Sequence, residues 1–494
     1  MRSHMRYDLI VIGSGPAGQK GAIAAAKLGK RVAIIERRSS QLGGACLHTG
    51  TIPSKTMREA IMYLSGFRQR DVYSEQYRRK RHIRMEDLQR KIAAVAGRER
   101  QVIEDQLDRN GVEIFSGNAR FLDSHTVEVA EHGLSVQLAG SRILIATGTR
   151  PFRDPKISFD GRRVFDSDEL LELDRIPRSM IVIGGGVIGL EYGIMFQTLG
   201  VQVTVVDGRD RLLPFCDREI TETLQYHARS IGLVLRLGED VVETTLRDND
   251  RVAIELESGK RLVGESVLIA MGRTGDTADL NLPAAGLSPN DKGRITCSEH
   301  FQTDVPHIYA VGDVVGFPAL ASASMEQGRQ AVRHAFGSES RSSGLLPYGL
   351  FTIPEIAMVG ESEETLTAEH VPYETGVARF REIARGQIAG DRGVLLKLLF
   401  HRETKRLLGV HCIGHGATEI IHIGQAVMHF GGTIDYFRDT VFNYPTMAEC
   451  YKVAAFDGLN KLELDAPMDD REAAILEDVH RLARATDPLL TEVR

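Results

Sequence analysis

Two glycine-rich turns carry the first recognisable chemistry in this sequence. GSGPAG starts at Gly13 and GGGVIG at Gly184, each directly after an apolar run (DLIVI, MIVI) and each opening a helix-like stretch. In both copies an acidic residue follows the first glycine by 23 positions, Glu36 closing RVAIIE and Asp207 closing VQVTVVD. Spacing and context are those of a dinucleotide-binding unit. The first glycine (Gly13, Gly184) permits a tight turn, the second (Gly15, Gly186) lets backbone approach a pyrophosphate, and the third (Gly18, Gly189) lets the helix lie against its sheet. Unpaired N–H groups at the helix start then meet the anion. One such turn is weak evidence, but two copies 171 positions apart, both in context, predict a duplicated unit.

A further carboxylate separates the two sites. TDVPHIYAVGDVVG reads as a strand ending at Gly312 and Asp313, which places an acid at the carboxyl end of a sheet strand, where ligand hydroxyls gather in open α/β folds. It occurs once and is assigned to the more hydroxyl-rich ligand, a flavin with its ribityl chain; the plainer reading is an N-cap for the following helix. At the second turn Asp207 suits the free ribose hydroxyls of NAD, whereas Arg209 and Arg211 suit a 2′-phosphate, so both NAD and NADP stay open.

The elements that must hold these residues follow from the pattern. Each dinucleotide unit precedes a strand-rich stretch and a short apolar strand closing on a glycine, ILIATG at Gly148 and VLIAMG at Gly272. The alternating VEVAEHGLSVQLAG and VAIELESGKRLVG predict antiparallel excursions hung on two parallel sheets. Between Thr56 and Gly117 a charged, largely helical segment would pack one face on the first sheet, its YRRKRHIR cluster (Arg78, Arg79, Lys80, Arg81, His82, Arg84) on the solvated side. From Pro347 onward, strands (LLKLLFHRET, RLLGVHCIG) and helices (TEIIHIGQAVMHF, and one after Asn443) read as an α+β domain.

Composition agrees with that organisation. The 494 residues allow about three domains at roughly 150 residues each. A net charge of −6 gives no drive toward nucleic acid or anionic membrane, and no apolar run reaches 18 residues. The beginning MRSHMRYD lacks the apolar core of a signal peptide, so a cytoplasmic protein is expected. The five cysteines, Cys46, Cys216, Cys297, Cys412 and Cys450, form no CxxC pair and suggest neither a disulfide framework nor a metal site.

Taken together, GSGPAG with Glu36, GGACLHTGTIPSK (Gly43 to Lys55), ATGTRP, GGGVIGLE with Asp207, YAVGD and NYPTMAE (Asn443 to Glu449) come in the order of the pyridine nucleotide-disulfide oxidoreductase family, which the chain resembles from Tyr7 to Leu464. The resemblance implies an α/β protein with two Rossmann-like domains, the nucleotide domain (156–280) inserted in an FAD domain (6–155 and 281–346), then a C-terminal α+β dimerisation domain (347–464) and a helical tail (465–494) of unassigned role. It implies one non-covalent FAD per subunit, held by Gly13, Gly15, Pro16, Ala17, Gly18, Glu36, Gly44, Thr51, Lys55, Thr147, Gly148, Gly312, Asp313 and Ala321. NAD(H) and NADP(H) would act as substrates at Gly184, Gly186, Val187, Ile188, Gly189, Glu191, Asp207, Arg209, Arg211 and Gly272. A homodimer is implied, with Tyr444 and Glu449 shaping the interface and the far side of the flavin, and His422 as a structural interface residue.

Two departures bear on the chemistry. Dithiol members carry a CxxxxC pair facing the flavin; here Cys46 takes the first position and Thr51 the second, so the flavin-proximal thiol is missing and Cys46 reads as a buried small residue or an oxidation-sensitive thiol. Dithiol members also place a histidine, paired with glutamate, where Tyr444 stands, and a phenol of pKa near 10 is a poor proton shuttle. Hydride exchange between nicotinamide and flavin needs neither group. The resemblance therefore implies an enzyme that catalyses a transhydrogenation, NADPH + NAD⁺ ⇌ NADP⁺ + NADH, by ping-pong exchange through FAD, with Lys55 and Glu191 as an ion pair near flavin N5. The alternative is an NAD(P)H:quinone or dye reductase; a dihydrolipoyl or glutathione-type reductase and a non-enzymatic redox sensor stand further off.

Overall fold

The computed structural model describes residues 5–67, 80, 82–247, 250–338, 344–390 and 393–464. Arg78, Arg79 and Arg81 of the basic cluster and the tail 465–494 lie outside the described residues. The chain divides into two compact units, Met1–Ala357 with Ile413–Thr418, and Met358–Cys412 with Glu419–Arg494.

In the first unit, strand Met5–Ile12 has a buried inner face and pairs in parallel with Val32–Glu36 on one side and Leu134–Ile145 on the other. Glu113–Ser116 extends the sheet beyond Val32–Glu36, and Ile308–Ala310 pairs in parallel with Ile143 to Ile145. The near-continuous run of Ile, Val and Leu in these strands is what a sheet covered on both faces requires. One face packs Ile10, Ile12, Ile35, Ile143 and Ile145 against Phe121 and Leu138. The other packs Leu9, Val11 and Ile34 against Ala17, Ala22 and Ala25 of helix Pro16–Lys27, whose small side chains bring helix and sheet close.

The expected antiparallel excursions are present. Thr126–Glu131 pairs with Leu134 to Ala139, and Asn118–Phe121 pairs with Val127 to Ala130. One difference concerns the ILIATG segment. It is the end of a single twelve-residue strand, Leu134–Ile145, whose first half serves the excursion and whose second half serves the parallel sheet. A strand that changes partners midway has no break in its sequence to announce the change.

The second parallel sheet runs in the order Val234–Leu237, Gln202–Asp207, Ser179–Ile183, Ser266–Ile269, Val164–Asp166. Its antiparallel excursion is Val241–Arg247, Arg251–Leu256 and Arg261–Gly264. In the second unit, Leu395–His401 lies antiparallel to Tyr373–Arg379 and is covered by helix Glu449–Leu464. Two glycines set that distance: a Cβ on Gly376 would lie 2.0 Å from the Ala454 carbonyl oxygen, and one on Gly458 would lie 2.6 Å from the Phe400 ring. Among the described residues no helix is long and apolar enough to cross a membrane.

Candidate active site

The two glycine turns superpose in their close contacts. Gly13 has φ of +103° and Gly184 of +105°, a region that favours glycine. A Cβ on Gly13 would stand 2.4 Å from the Ala146 carbonyl oxygen, and one on Gly184 the same 2.4 Å from that of Ala270. At the third glycine, Gly18 or Gly189, a Cβ would fall 1.9 Å from the carbonyl oxygen of Gly13 or Gly184. The middle glycines, Gly15 and Gly186, are the N-caps of helices Pro16–Lys27 and Val187–Leu199 and would meet nothing within 4 Å. Each turn is thus closed on its protein side by backbone and open where an anion would lie, with helix N–H groups unspent. Val187 and Ile188 form the first turn of the second helix, and Pro16 and Ala17 of the first.

The surroundings of the first turn fit a flavin dinucleotide. Glu36 is buried at the end of its strand, accepting from the backbone N–H of Ser14 at 3.3 Å and from the Ser14 hydroxyl. That hydroxyl also accepts from Gly43 N–H at 3.0 Å, tying the GGACLH segment to the turn; Gly44, with φ of +62°, sits so close that its Cβ would lie 3.0 Å from Gly15 Cα. Thr147 Oγ1, before Gly148, is buried with no partner among the described residues, an orphaned hydroxyl that a bound ligand would satisfy. Asp313 follows strand Ile308–Ala310, and burial pushes its carboxyl up, opposed by Arg273 and by a hydrogen bond with Thr149. Gly312, with φ of +79°, donates its N–H to Gln327 at 2.8 Å, and Ala321 begins helix Ala321–Ala335.

Cys46 lies in the short helix Gly44–His48 and Thr51 opens helix Thr51–Ser65. Burial pushes the Cys46 thiol up, and a hydrogen bond with Thr51 pulls the other way. A thiol pushed up by burial in this way is a weak nucleophile. One helical turn beyond Thr51, on the same face, Lys55 extends its ammonium to Glu191 at 2.5 Å. The other Glu191 oxygen accepts from Phe351 N–H at 2.8 Å, and the ammonium stands 5.0 Å over the Phe351 ring. Glu191 is buried while Lys55 keeps a quarter of its side chain exposed, so the carboxylate is the fixed partner of the pair.

The sequence did not single out Phe351, Ser14 or Arg273. Arg273 spans Thr149, donating to its hydroxyl and carbonyl at 2.8 Å each, and approaches Asp168 at 3.4 Å. These partners lie more than a hundred positions apart and leave no local signature. Ser14 alone had one: it lies inside the first glycine turn, between Gly13 and Gly15.

At the second turn Asp207 accepts from Gly185 N–H at 2.5 Å and from three Arg209 donors. Burial pushes its carboxyl up, but the Arg209 and Gly185 hydrogen bonds outweigh it and the balance is downward. Arg211 donates to the Cys216 carbonyl at 2.6 Å, and Gly272 has φ of +119°. Tyr444 and Glu449 belong to the second unit. Tyr444 is two-thirds exposed, Glu449 Oε2 is buried without a partner, and no hydrogen bond joins the two among the described residues. No group of three or more His, Cys, Asp or Glu able to hold a metal ion occurs among the described residues.

Comparison with known proteins agrees with this geometry. The family model described as pyridine nucleotide-disulphide oxidoreductase matches residues 7–328, and that of the same family's dimerisation domain matches residues 346–455. The chain is 51% identical over 459 residues to a protein named soluble pyridine nucleotide transhydrogenase from Mycobacterium bovis, covering 92% of this chain and 98% of that one. A protein of the same name from Colwellia psychrerythraea is 44% identical over 468 residues, covering 94% and 100%. Among solved structures, LpdA from Mycobacterium tuberculosis aligns with a TM-score of 0.84 at 26% identity over 92% of this chain and 99% of that one. The HOCl-induced flavoprotein disulfide reductase RclA from Escherichia coli aligns at 0.81 and 28%, over 91% and 99%. With relatives this similar over nearly the whole length, and a family model that spans both glycine turns, the chain belongs to the pyridine nucleotide-disulphide oxidoreductase family and is a flavoprotein oxidoreductase.

Proposed function

We propose that this enzyme is a pyridine nucleotide transhydrogenase, exchanging hydride between NADPH and NAD⁺ at one nicotinamide site, with one non-covalent FAD held at the first turn. The carrying observation is that the ion pair of Lys55 and Glu191 is intact while position 51, one helical turn away, holds a threonine, hydrogen-bonded to Cys46, in place of a second thiol. The names of the two transhydrogenase relatives support the same reading. Bound FAD supplies an acceptor and donor of hydride. The chain's own residues bind, orient and compensate charge. Glu191 fixes Lys55, and the ammonium offsets negative charge that arrives with the hydride. Neither a thiol relay nor a proton shuttle at Tyr444 is needed, and we place Tyr444 and Glu449 at the subunit interface of a homodimer.

The deciding experiment follows hydride transfer with both nucleotides on the FAD-loaded protein. Enzyme reduced by NADPH is expected to be reoxidised by NAD⁺ in a single phase, with no turnover of lipoamide or glutathione disulfide. Reoxidation by a quinone but not by NAD⁺ assigns the protein to the quinone reductases instead.

The Cys46 and Thr51 geometry makes its own forecast. Thr51→Cys is expected to close a disulfide on mild oxidation, read as the loss of two titratable thiols relative to the reduced variant. An unchanged thiol count shows that the two positions do not face each other.

A further inference from the structure

The two turns hold their acidic residues in different ways, and the difference lies in charge. Glu36 is held through Oε2 alone, by the backbone N–H and hydroxyl of Ser14, both neutral; Oε1 receives no hydrogen bond from a described residue. A carboxylate offers about four acceptor positions. At Asp207 four donors are present: Gly185 N–H on Oδ2 at 2.5 Å, Arg209 Nη2 on Oδ2 at 2.7 Å, and Arg209 N–H and Nε on Oδ1 at 2.9 and 2.8 Å. Glu36 is therefore ready for a ribose diol as it stands. Asp207 is saturated, and a ribose can reach it only if something leaves.

Of the four donors, two are backbone and cannot leave without unmaking the turn. The other two belong to one guanidinium, nearly half exposed at 47%. The neighbouring charges are acidic: Asp240 stands over Gly208, where a Cβ would lie 2.3 Å from its Oδ1, and Glu239 is occupied by Lys260 at 2.7 Å. The other cation of the loop, Arg211, is turned to the Cys216 carbonyl. A dianionic 2′-phosphate entering here meets Asp207 and Asp240, and Arg209 is the cation placed to offset them.

We propose that Arg209 is a swing arm that reads the 2′ position of the adenosine ribose, leaving Asp207 to the hydroxyls of NAD(H) and turning onto the 2′-phosphate of NADP(H); this rests on the second turn being the nicotinamide nucleotide site. In the NAD(H) state the ribose hydroxyls donate to the acceptor positions that the guanidinium vacates, while Gly185 and the Arg209 backbone keep the carboxylate in place. In the NADP(H) state the guanidinium forms a forked pair with the phosphate, and its charge still lies between the phosphate and Asp207. A site that must take both nucleotides in turn thereby carries both recognition groups, each masking the other when empty. The first turn, with a single permanent ligand, has no need of an arm.

The test uses the full-length, FAD-loaded protein and measures calorimetric binding of two fragments, 5′-AMP and 2′,5′-ADP. The wild type is expected to bind both. Arg209→Ala is expected to weaken 2′,5′-ADP by about 10- to 100-fold, the worth of a charge-assisted pair, while leaving 5′-AMP unchanged or tighter because no guanidinium must be displaced. Asp207→Asn is expected to do the reverse, weakening 5′-AMP and sparing or tightening 2′,5′-ADP. Arg209→Lys, which keeps the charge without the fork, should fall between wild type and Arg209→Ala. Equal weakening of both fragments in Arg209→Ala marks a merely structural loop contact and overturns the arm, as does a 2′,5′-ADP affinity that does not change. If the wild type binds neither fragment, the second turn is not the nucleotide site and the proposal falls with that reading.

Discussion

Lys55→Ala is expected to retain FAD and to reduce the rate of hydride transfer from NADPH by about 10²- to 10³-fold, the size of effect seen when a preorganised charge stabiliser is removed. The basis is the fixed geometry of the pair. Glu191 is buried and holds the ammonium at 2.5 Å with one oxygen and the Phe351 backbone with the other, so Lys55 does not need to be found or reoriented when charge arrives. Glu191→Gln should fall between the variant and wild type, because an amide still accepts from Phe351 N–H but no longer anchors a cation. Stopped-flow bleaching of the flavin absorbance, with FAD content measured separately, checks both. Unchanged bleaching in Lys55→Ala removes the lysine from the chemistry and makes the pair a packing feature.

The second large effect separates the two turns. Gly189→Ala is expected to give a protein that folds and carries FAD but binds neither NADPH nor NADH measurably. The added methyl would fall 1.9 Å from the Gly184 carbonyl oxygen, and backbone rather than a flexible side chain must move to admit it. Overpacking of that kind costs about 1–3 kcal/mol or more, and the displaced helix end is the one that would meet the pyrophosphate. Gly18→Ala makes the same clash with Gly13 in the first turn and should instead yield protein depleted of FAD. Absorbance gives the flavin content and calorimetry the nucleotide binding. If Gly189→Ala lost FAD and kept nucleotide, the assignment of ligands to turns would be reversed.

How much of this was legible in the sequence depends on how local each feature is. The parallel units were legible because an apolar strand leads directly into each glycine turn and the strand-end acid follows the first glycine by 23 positions, and both appear where expected with matching contacts. The antiparallel excursions were legible from alternation. The change of partners within Leu134–Ile145 was not, because a strand that exchanges one edge neighbour for another within the same sheet needs no turn residue at the join. The Lys55 and Glu191 pairing was reached through family resemblance, whereas the Phe351 N–H that completes it, 160 positions from Glu191, was out of reach. At Asp207 the sequence left Arg209 as a candidate phosphate ligand; that its guanidinium already rests on the carboxylate is a matter of side-chain rotation, which spacing does not encode.

The matching clearances of the two turns bear on how such a protein can change its diet. Because each turn is closed by backbone against backbone, no side chain within that contact distinguishes one dinucleotide from another. Anchoring is generic, and identity is written a few residues away, in what surrounds the strand-end acid: a serine at the first site, an arginine at the second. At the second turn coenzyme preference is thereby a replaceable label on a shared backbone grip, open to revision at the half-exposed Arg209 without touching the core.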